Sequence, residues 1–248
     1  IEAHLIGLGA PADKLVYNSC GADVDLFTVS DPAAAPPHFL AVGRFIDKKA
    51  PHLTLLAFER VVRERPEARL TMVGEGDLWE ACAQLIRALG IEENVDLCGT
   101  KDPAAIGSLL QRTRAFVQHS VVTTMNDREG TPVAMLEAMA CGVPVISTRH
   151  GDIVELAAHG ERGLLCAERD IAGMAANMLR LADDPTLAAT MGRAGADYRG
   201  GGCFDRHCYA GVGRGNQPEH QRRRRAFGRP GAPGGRQCPD ASARRLRR

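Results

Sequence analysis

Between residues 39 and 198 the chain sets short apolar runs against segments of helical periodicity, over and over. The apolar runs are Phe39-Val42, Leu70-Val73, Val95-Cys98, Ala115-Gln118, Val143-Ser147 and Gly163-Cys166. Helical patterns follow most of them: Pro51 to Arg65, Leu78 to Leu89, Pro103 to Arg112, Pro132 to Cys141, and two between Ile171 and Ala196. Strand then helix, repeated, predicts an α/β fold with a doubly wound parallel sheet, because parallel neighbours need a crossover that covers the sheet faces. In such sheets ligands bind beyond the carboxyl ends of the strands. The chemistry-bearing motifs described below all fall at such ends.

A hydrophobic content of 44% in 248 residues is enough for a full core. The net charge of +1 conceals a split. Residues 1–199 hold 19 basic against 27 acidic side chains, a net of −8, whereas residues 200–248 hold 12 against 3, a net of +9. Cys20, Cys82, Cys98, Cys141 and Cys166 show no ligand spacing and are expected to be reduced thiols, which points to a cytoplasmic setting. Cys203, His207 and Cys208 make a poor metal pattern in a glycine-rich context. The sequence contains no signal-peptide pattern and no apolar run long enough to span a bilayer.

Glu129 and Glu137 are separated by seven residues, Gly130-Thr131-Pro132-Val133-Ala134-Met135-Leu136. Pro132 suits the first helical position, so Thr131 is the expected N-cap. Gly142 and Pro144 stop the helix. Glu137 then lies in the second turn, embedded in an apolar run where a charge is costly unless it is paired or faces a cleft. Between the two carboxylates lies a helix N-terminus with free amides and a positive dipole end, a ready anion site. The arrangement suits a ligand with phosphates in the middle and hydroxyls at both ends. Gly43-Arg44 closes the first strand and Lys48-Lys49 follows, a loop able to aim cations at the same cleft. Gly74-Glu75-Gly76 closes the second strand, but Trp79 stands where a dinucleotide fingerprint needs its third glycine. The alternative for that turn is a plain tight strand–helix connection. His119 and His150 are read as structural or exposed rather than catalytic.

Asp127-Arg128-Glu129-Gly130-Thr131-Pro132, Leu136-Glu137-Ala138-Met139-Ala140 and Gly142-Val143-Pro144-Val145 resemble the nucleotide-sugar site of retaining GT-B-fold glycosyltransferases. Within that family the likeness is to bacterial enzymes that build exopolysaccharide or lipopolysaccharide. The resemblance spans roughly residues 5 to 197. It implies a Rossmann-like C-terminal domain of a GT-B fold and sugar transfer with retention from a UDP-, GDP- or other nucleotide-sugar. It further implies Arg44 and Lys49 on the donor diphosphate, Glu137 on the ribose and Glu129 on the transferred sugar. Gly43, Gly74, Gly76, Cys98, Gly130 and Thr131 complete the expected donor site. No metal is required where two cations hold the diphosphate, so no cofactor is expected. The acceptor would be a carbohydrate or a lipid-linked sugar, with peripheral association at the inner face of the membrane.

On the same resemblance, residues 1–38 are the remnant of an interdomain hinge, with Asn18, Gly21 and Phe27 in an Asn-Gly…Phe pattern and a Pro/Ala linker from Asp31 to Pro37. An acceptor-binding domain is expected before residue 1. Residues 39–198 form the nucleotide-sugar-binding domain. Residues 199–248 pass through Gly200-Gly201-Gly202 and the run Arg222 to Arg225 with no periodic apolar face, which predicts a disordered tail. Two further readings stay open. One is a truncated donor-binding fragment that binds nucleotide without transferring sugar. The other is a nucleic-acid-binding protein acting through the basic tail. A nucleotide-sugar epimerase of the same two-domain architecture is disfavoured by the pair of glutamates.

Overall fold

The structure, a computed structural model, describes residues 6–14 and 20–198. Asn18, the segment 199–248, the Cys203, His207 and Cys208 group and the run Arg222 to Arg225 lie outside the described residues.

Six strands form one parallel sheet: β1 (His38–Val42), β2 (Arg69–Val73), β3 (Val95–Leu97), β4 (Ala115–Gln118), β5 (Val145–Thr148) and β6 (Gly163–Cys166). Their order is β3-β2-β1-β4-β5-β6, with Leu40 opposite both Thr71 and Phe116. The side-chain period of two sends alternate residues to opposite faces. Phe39, Val117, Ile146 and Leu164 enter one core, and Leu40, Phe116, Val145 and Leu165 enter the other. The first core is closed by α1 (Pro51–Glu64), α2 (Trp79–Leu89), α6 (Ile171–Asp183) and α7 (Pro185–Ala196), through Phe58, Ile86, Met178 and Met191. The second is closed by α3 (Pro103–Leu110), α4 (Val133–Ala140) and α5 (Ile153–Ala157), through Leu110, Leu136, Met139 and Ile153. Every residue of β4, β5 and β6 is buried, as expected of strands covered on both faces.

Local signals account for most boundaries. Proline opens α1, α3 and α7. Asp102, Asp170 and Asp184 each accept a backbone N–H of the first turn that follows, at 2.8–2.9 Å. Two departures from expectation have a clear local cause. β5 begins at Val145 rather than Val143, because the Val143 amide is spent on Ala138 O at the exit of α4 and Pro144 has no amide. Thr131 does not cap α4: the N-cap is Pro132, with no side-chain cap, and the Thr131 hydroxyl donates instead to Asp152. The short helix α5 is an addition to the sequence reading.

At the amino ends of the strands Arg114, 4% exposed, donates to the carbonyls of Pro32, Ala35, Leu181 and Ala182. It fastens the Pro/Ala segment and the end of α6 to β4. Ser30 N–H donates to Cys141 O, and Phe27 is buried in the second core. Among the described cysteines, Cys20, Cys82, Cys141 and Cys166 are free thiols. Among the described residues no helix is long and apolar enough to cross a membrane.

Candidate functional site

The chain leaves β1 towards β2 and β3, then returns on the other side of β1 to lay down β4, β5 and β6. The crevice outside the carboxyl ends of β1 and β4 is therefore the topological switch point, where open α/β sheets bind ligands. A cavity opens there, lined among others by Gly43, Arg44, Phe45, Lys49 and Gln118.

The turns after β1 and β2 nest backbone against backbone. Gly43 N–H donates to Val73 O, Gly74 N–H to Gly99 O and Phe45 N–H to Glu75 O, at 2.8–2.9 Å. Gly74 has φ +136°, and a Cβ there would stand 1.9 Å from Gly43 O, so only glycine fits. A Cβ at Gly76 would meet Phe45 O at 2.5 Å. Both glycines are thus required to seat the β1 turn, the structural role weighed for them from the sequence. Cys98 is buried just past β3, its amide committed to Met72 O.

After β1 the chain makes a single turn, Asp47–Lys49, that sends its two lysines to different partners. Lys48 Nζ reaches Asp127 Oδ1 and Arg128 O, each at 3.2 Å. Lys49 Nζ pairs with Glu129 Oε2 at 2.8 Å and donates to Gln118 Oε1 at 3.2 Å. The Lys49 and Glu129 side chains are only 15% and 12% exposed. Gln118 is oriented in turn by donating Nε2–H to Ser120 Oγ at 2.8 Å. Gly43 keeps the lysine's path open, since a Cβ there would stand 2.8 Å from Lys49 Cδ. An ammonium has three donors. Gln118 takes one of them. Glu129 Oε2 is close enough for an ion pair but lies outside hydrogen-bond geometry, so the ammonium keeps donor capacity for a ligand in the cavity. Arg44 is exposed on the same rim.

Glu129 is also held by its backbone. Its N–H donates to His150 Nε2 at 2.9 Å. That nitrogen accepts, so Nδ1 carries the proton, and it lies 2.6 Å from Glu168 Oε1. Glu168 Oε2 accepts the Val122 N–H at 2.9 Å. Burial works to raise the Glu168 carboxyl, but the Val122 amide, His150 and Arg169 outweigh it and hold it below its ordinary value. His119 accepts the Arg169 N–H through Nε2 at 2.9 Å. Burial first, then the charges of His52 and Arg169, push His119 down to about 4. Both histidines are buried. The connections of His150, Glu168 and Gln118 to the site had no sequence signal, because each joins residues from different strand ends.

At the other end of the motif, Glu137 sits half-buried in the second turn of α4. Burial pushes its carboxyl above the ordinary value. Burial, helped by the Glu137 charge, also pushes the Cys141 thiol up to about 12. Between the glutamates, α4 starts without a side-chain cap and Gly130 borders open space. The structure thus joins Gly43, Lys49 and Glu129 directly and sets Arg44 on the same rim. Gly130, Thr131 and Glu137 follow on the motif segment, while Gly74, Gly76 and Cys98 lie along the neighbouring strand ends.

The model of the family "Glycosyl transferases group 1" matches residues 26–198. The chain belongs to this family. Over 195 residues this group 1 chain is 30% identical to a putative colanic acid biosynthesis glycosyltransferase, WcaL, of Salmonella typhimurium, covering 77% of the chain and 48% of the relative. It is 33% identical over 182 residues to the amylovoran biosynthesis glycosyltransferase AmsK of Erwinia amylovora, covering 73% and 45%. The chain therefore spans about half the length of these curated relatives. Among solved structures, Alr3699/HepE of Anabaena in complex with UDP superposes with a TM-score of 0.70 at 21% identity, covering 85% of this chain and 59% of that one. That likeness is one of fold, the Rossmann-like α/β domain of GT-B enzymes.

Proposed function

We propose that this domain binds a nucleoside-diphosphate sugar and, within a whole glycosyltransferase, passes the sugar with retention to a carbohydrate or lipid-linked acceptor of a bacterial surface polysaccharide. The observation that carries the reading is the Lys49–Glu129 pair, drawn together at the switch point beside the uncapped start of α4. The group 1 family and the polysaccharide-building relatives support the reaction class. HepE, solved with UDP and with UDP-glucose, supports the ligand class.

In this reading Arg44, the ammonium of Lys49 and the first amides of α4 meet the diphosphate. They stabilise the charge that develops as it leaves, with no divalent metal needed. The raised carboxyl of Glu137 is eased back by hydrogen bonds from the ribose hydroxyls. Glu129 binds hydroxyls of the transferred sugar and orients it, and the acceptor attacks from the face the diphosphate leaves. Gly43, Gly74, Gly76, Cys98, Gly130 and Thr131 shape the walls. The work is done in the cytoplasm, at the inner face of the membrane.

Calorimetry with UDP, GDP and their sugar conjugates tests this on folded protein. Each charge-assisted hydrogen bond contributes about 1.5–3 kcal/mol, so Arg44→Ala and Lys49→Ala should each weaken nucleoside diphosphate binding roughly tenfold or more. Free nucleoside should be affected much less. No binding of UDP or GDP at millimolar concentration contradicts the proposal, and so does an equal loss for nucleotide and nucleoside. Binding without transfer by this chain alone fits a donor-binding half and keeps the assignment of the site.

A further inference from the structure

Three consecutive residues beyond β5 hold the Glu129 loop from beneath. His150 Nε2 accepts the Glu129 N–H at 2.9 Å. Gly151 has φ +47°, and a Cβ there would stand 3.2 Å from Glu129 O, so the two backbones meet where a side chain would crowd them. Asp152 Oδ2 accepts the Thr131 hydroxyl at 3.3 Å. Both backbone groups of Glu129 and the residue two further on are thus set by one short segment. Its carboxylate is left to Lys49.

We propose that His150-Gly151-Asp152, locked by Glu168, is a positioning cradle that fixes Glu129 for the donor sugar. This rests on the proposed function, in which Glu129 meets the sugar. An imidazole nitrogen accepts only while it carries no proton, so the cradle needs the Nδ1–H tautomer. Glu168 enforces that tautomer, because a carboxylate facing Nδ1 at 2.6 Å offers only an acceptor. Glu168 is itself immobilised by the Val122 N–H and by Arg169 Nη1 at 3.4 Å. The Glu129 backbone is therefore held from the carboxyl ends of β5 and β6, while the lysines of the β1 turn hold the loop from the other side. Rigid support of this kind is what a binding carboxylate requires, since small displacements of a positioning group lose much of its effect.

A buried histidine that merely stabilises the loop would lower the thermal midpoint and weaken all ligands alike. A positioning residue acts on the sugar alone. The test measures affinities for the pairs UDP and UDP-glucose, and GDP and GDP-mannose, with thermal melting of each variant as a check on folding. In His150→Ala the affinity ratio of sugar conjugate to bare diphosphate, whatever its wild-type value, should fall about tenfold, with the bare diphosphate changed less than about twofold. His150→Gln, whose side-chain oxygen can accept the Glu129 N–H, should restore most of the ratio. Gly151→Ala should lower the ratio as His150→Ala does. Parallel loss for conjugate and bare diphosphate overturns the proposal, as does failure of His150→Gln to differ from His150→Ala.

Nitrogen-15 NMR of the unliganded protein supplies a readout free of any ligand. The His150 ring should carry its proton on Nδ1, and the opposite tautomer overturns the cradle outright. If the wild type binds none of the four compounds, the functional reading falls and the positioning role falls with it. The tautomer measurement then shows separately whether the relay exists.

Discussion

The Lys49–Glu129 pair alters what each residue does before a ligand arrives. Glu129 lies 2.8 Å from the ammonium and offsets its charge in a site with little solvent. Glu129→Gln removes that offset and keeps the size, so bare UDP or GDP should bind about threefold tighter, read by calorimetry. Sugar transfer by the whole enzyme should fall in the same variant. Weaker binding of the bare diphosphate would show that Glu129 does not compete with it for Lys49. Glu137 works in the opposite sense. Its folded carboxyl titrates above its unfolded value because burial disfavours the charge. A raised carboxyl gives stability that is present below the unfolded value and lost as pH rises through the folded one. Glu137→Gln should therefore stabilise the unliganded domain to urea at pH 7 and make little difference at about pH 3, while weakening nucleotide binding. A variant less stable at pH 7 would show the carboxylate already compensated inside the protein.

At the scale of elements, most of the architecture was legible. β4, β5 and β6 read as continuous apolar runs because both their faces are buried, and the prolines of α1, α3 and α7 announce helix starts. Thr131 misled because a hydroxyl next to a helix has more than one suitor, and Asp152, which competes for it, is 21 residues away. α5 has only five residues, too few for a periodicity to stand out, although Ile153, Leu156 and Ala157 do share its buried face. The site divides the same way. Glu129, Glu137, Arg44 and Lys49 carry local motifs, whereas His150, Glu168 and Gln118 matter only through contacts between strand ends. Arg114 belongs with the latter group: nothing local marks it, yet it serves four carbonyls from two segments. Arg114→Leu leaves those carbonyls buried and unpaired and should destabilise the domain by at least about 3 kcal/mol in urea unfolding. A loss below about 1 kcal/mol would mean that water or a rearranged linker takes its place.

On the whole-molecule scale, the sheet order turns scattered motifs into one site. With β1 beside β4, the turn carrying Arg44 and Lys49 faces the loop carrying Glu129, although 80 positions separate the ion-paired residues in sequence. The chain covers about half the length of its curated relatives, and the proposed donor binding is what this domain can be asked to show alone. The measurement that addresses it most directly is the crystal structure of the domain with bound UDP or GDP. The account predicts the diphosphate within hydrogen-bond reach, about 2.7–3.2 Å, of Lys49 Nζ and the first amides of α4, with the ribose hydroxyls on Glu137. A nucleotide seated away from the ends of β1 and β4, or one whose phosphates leave Lys49 untouched, would contradict it.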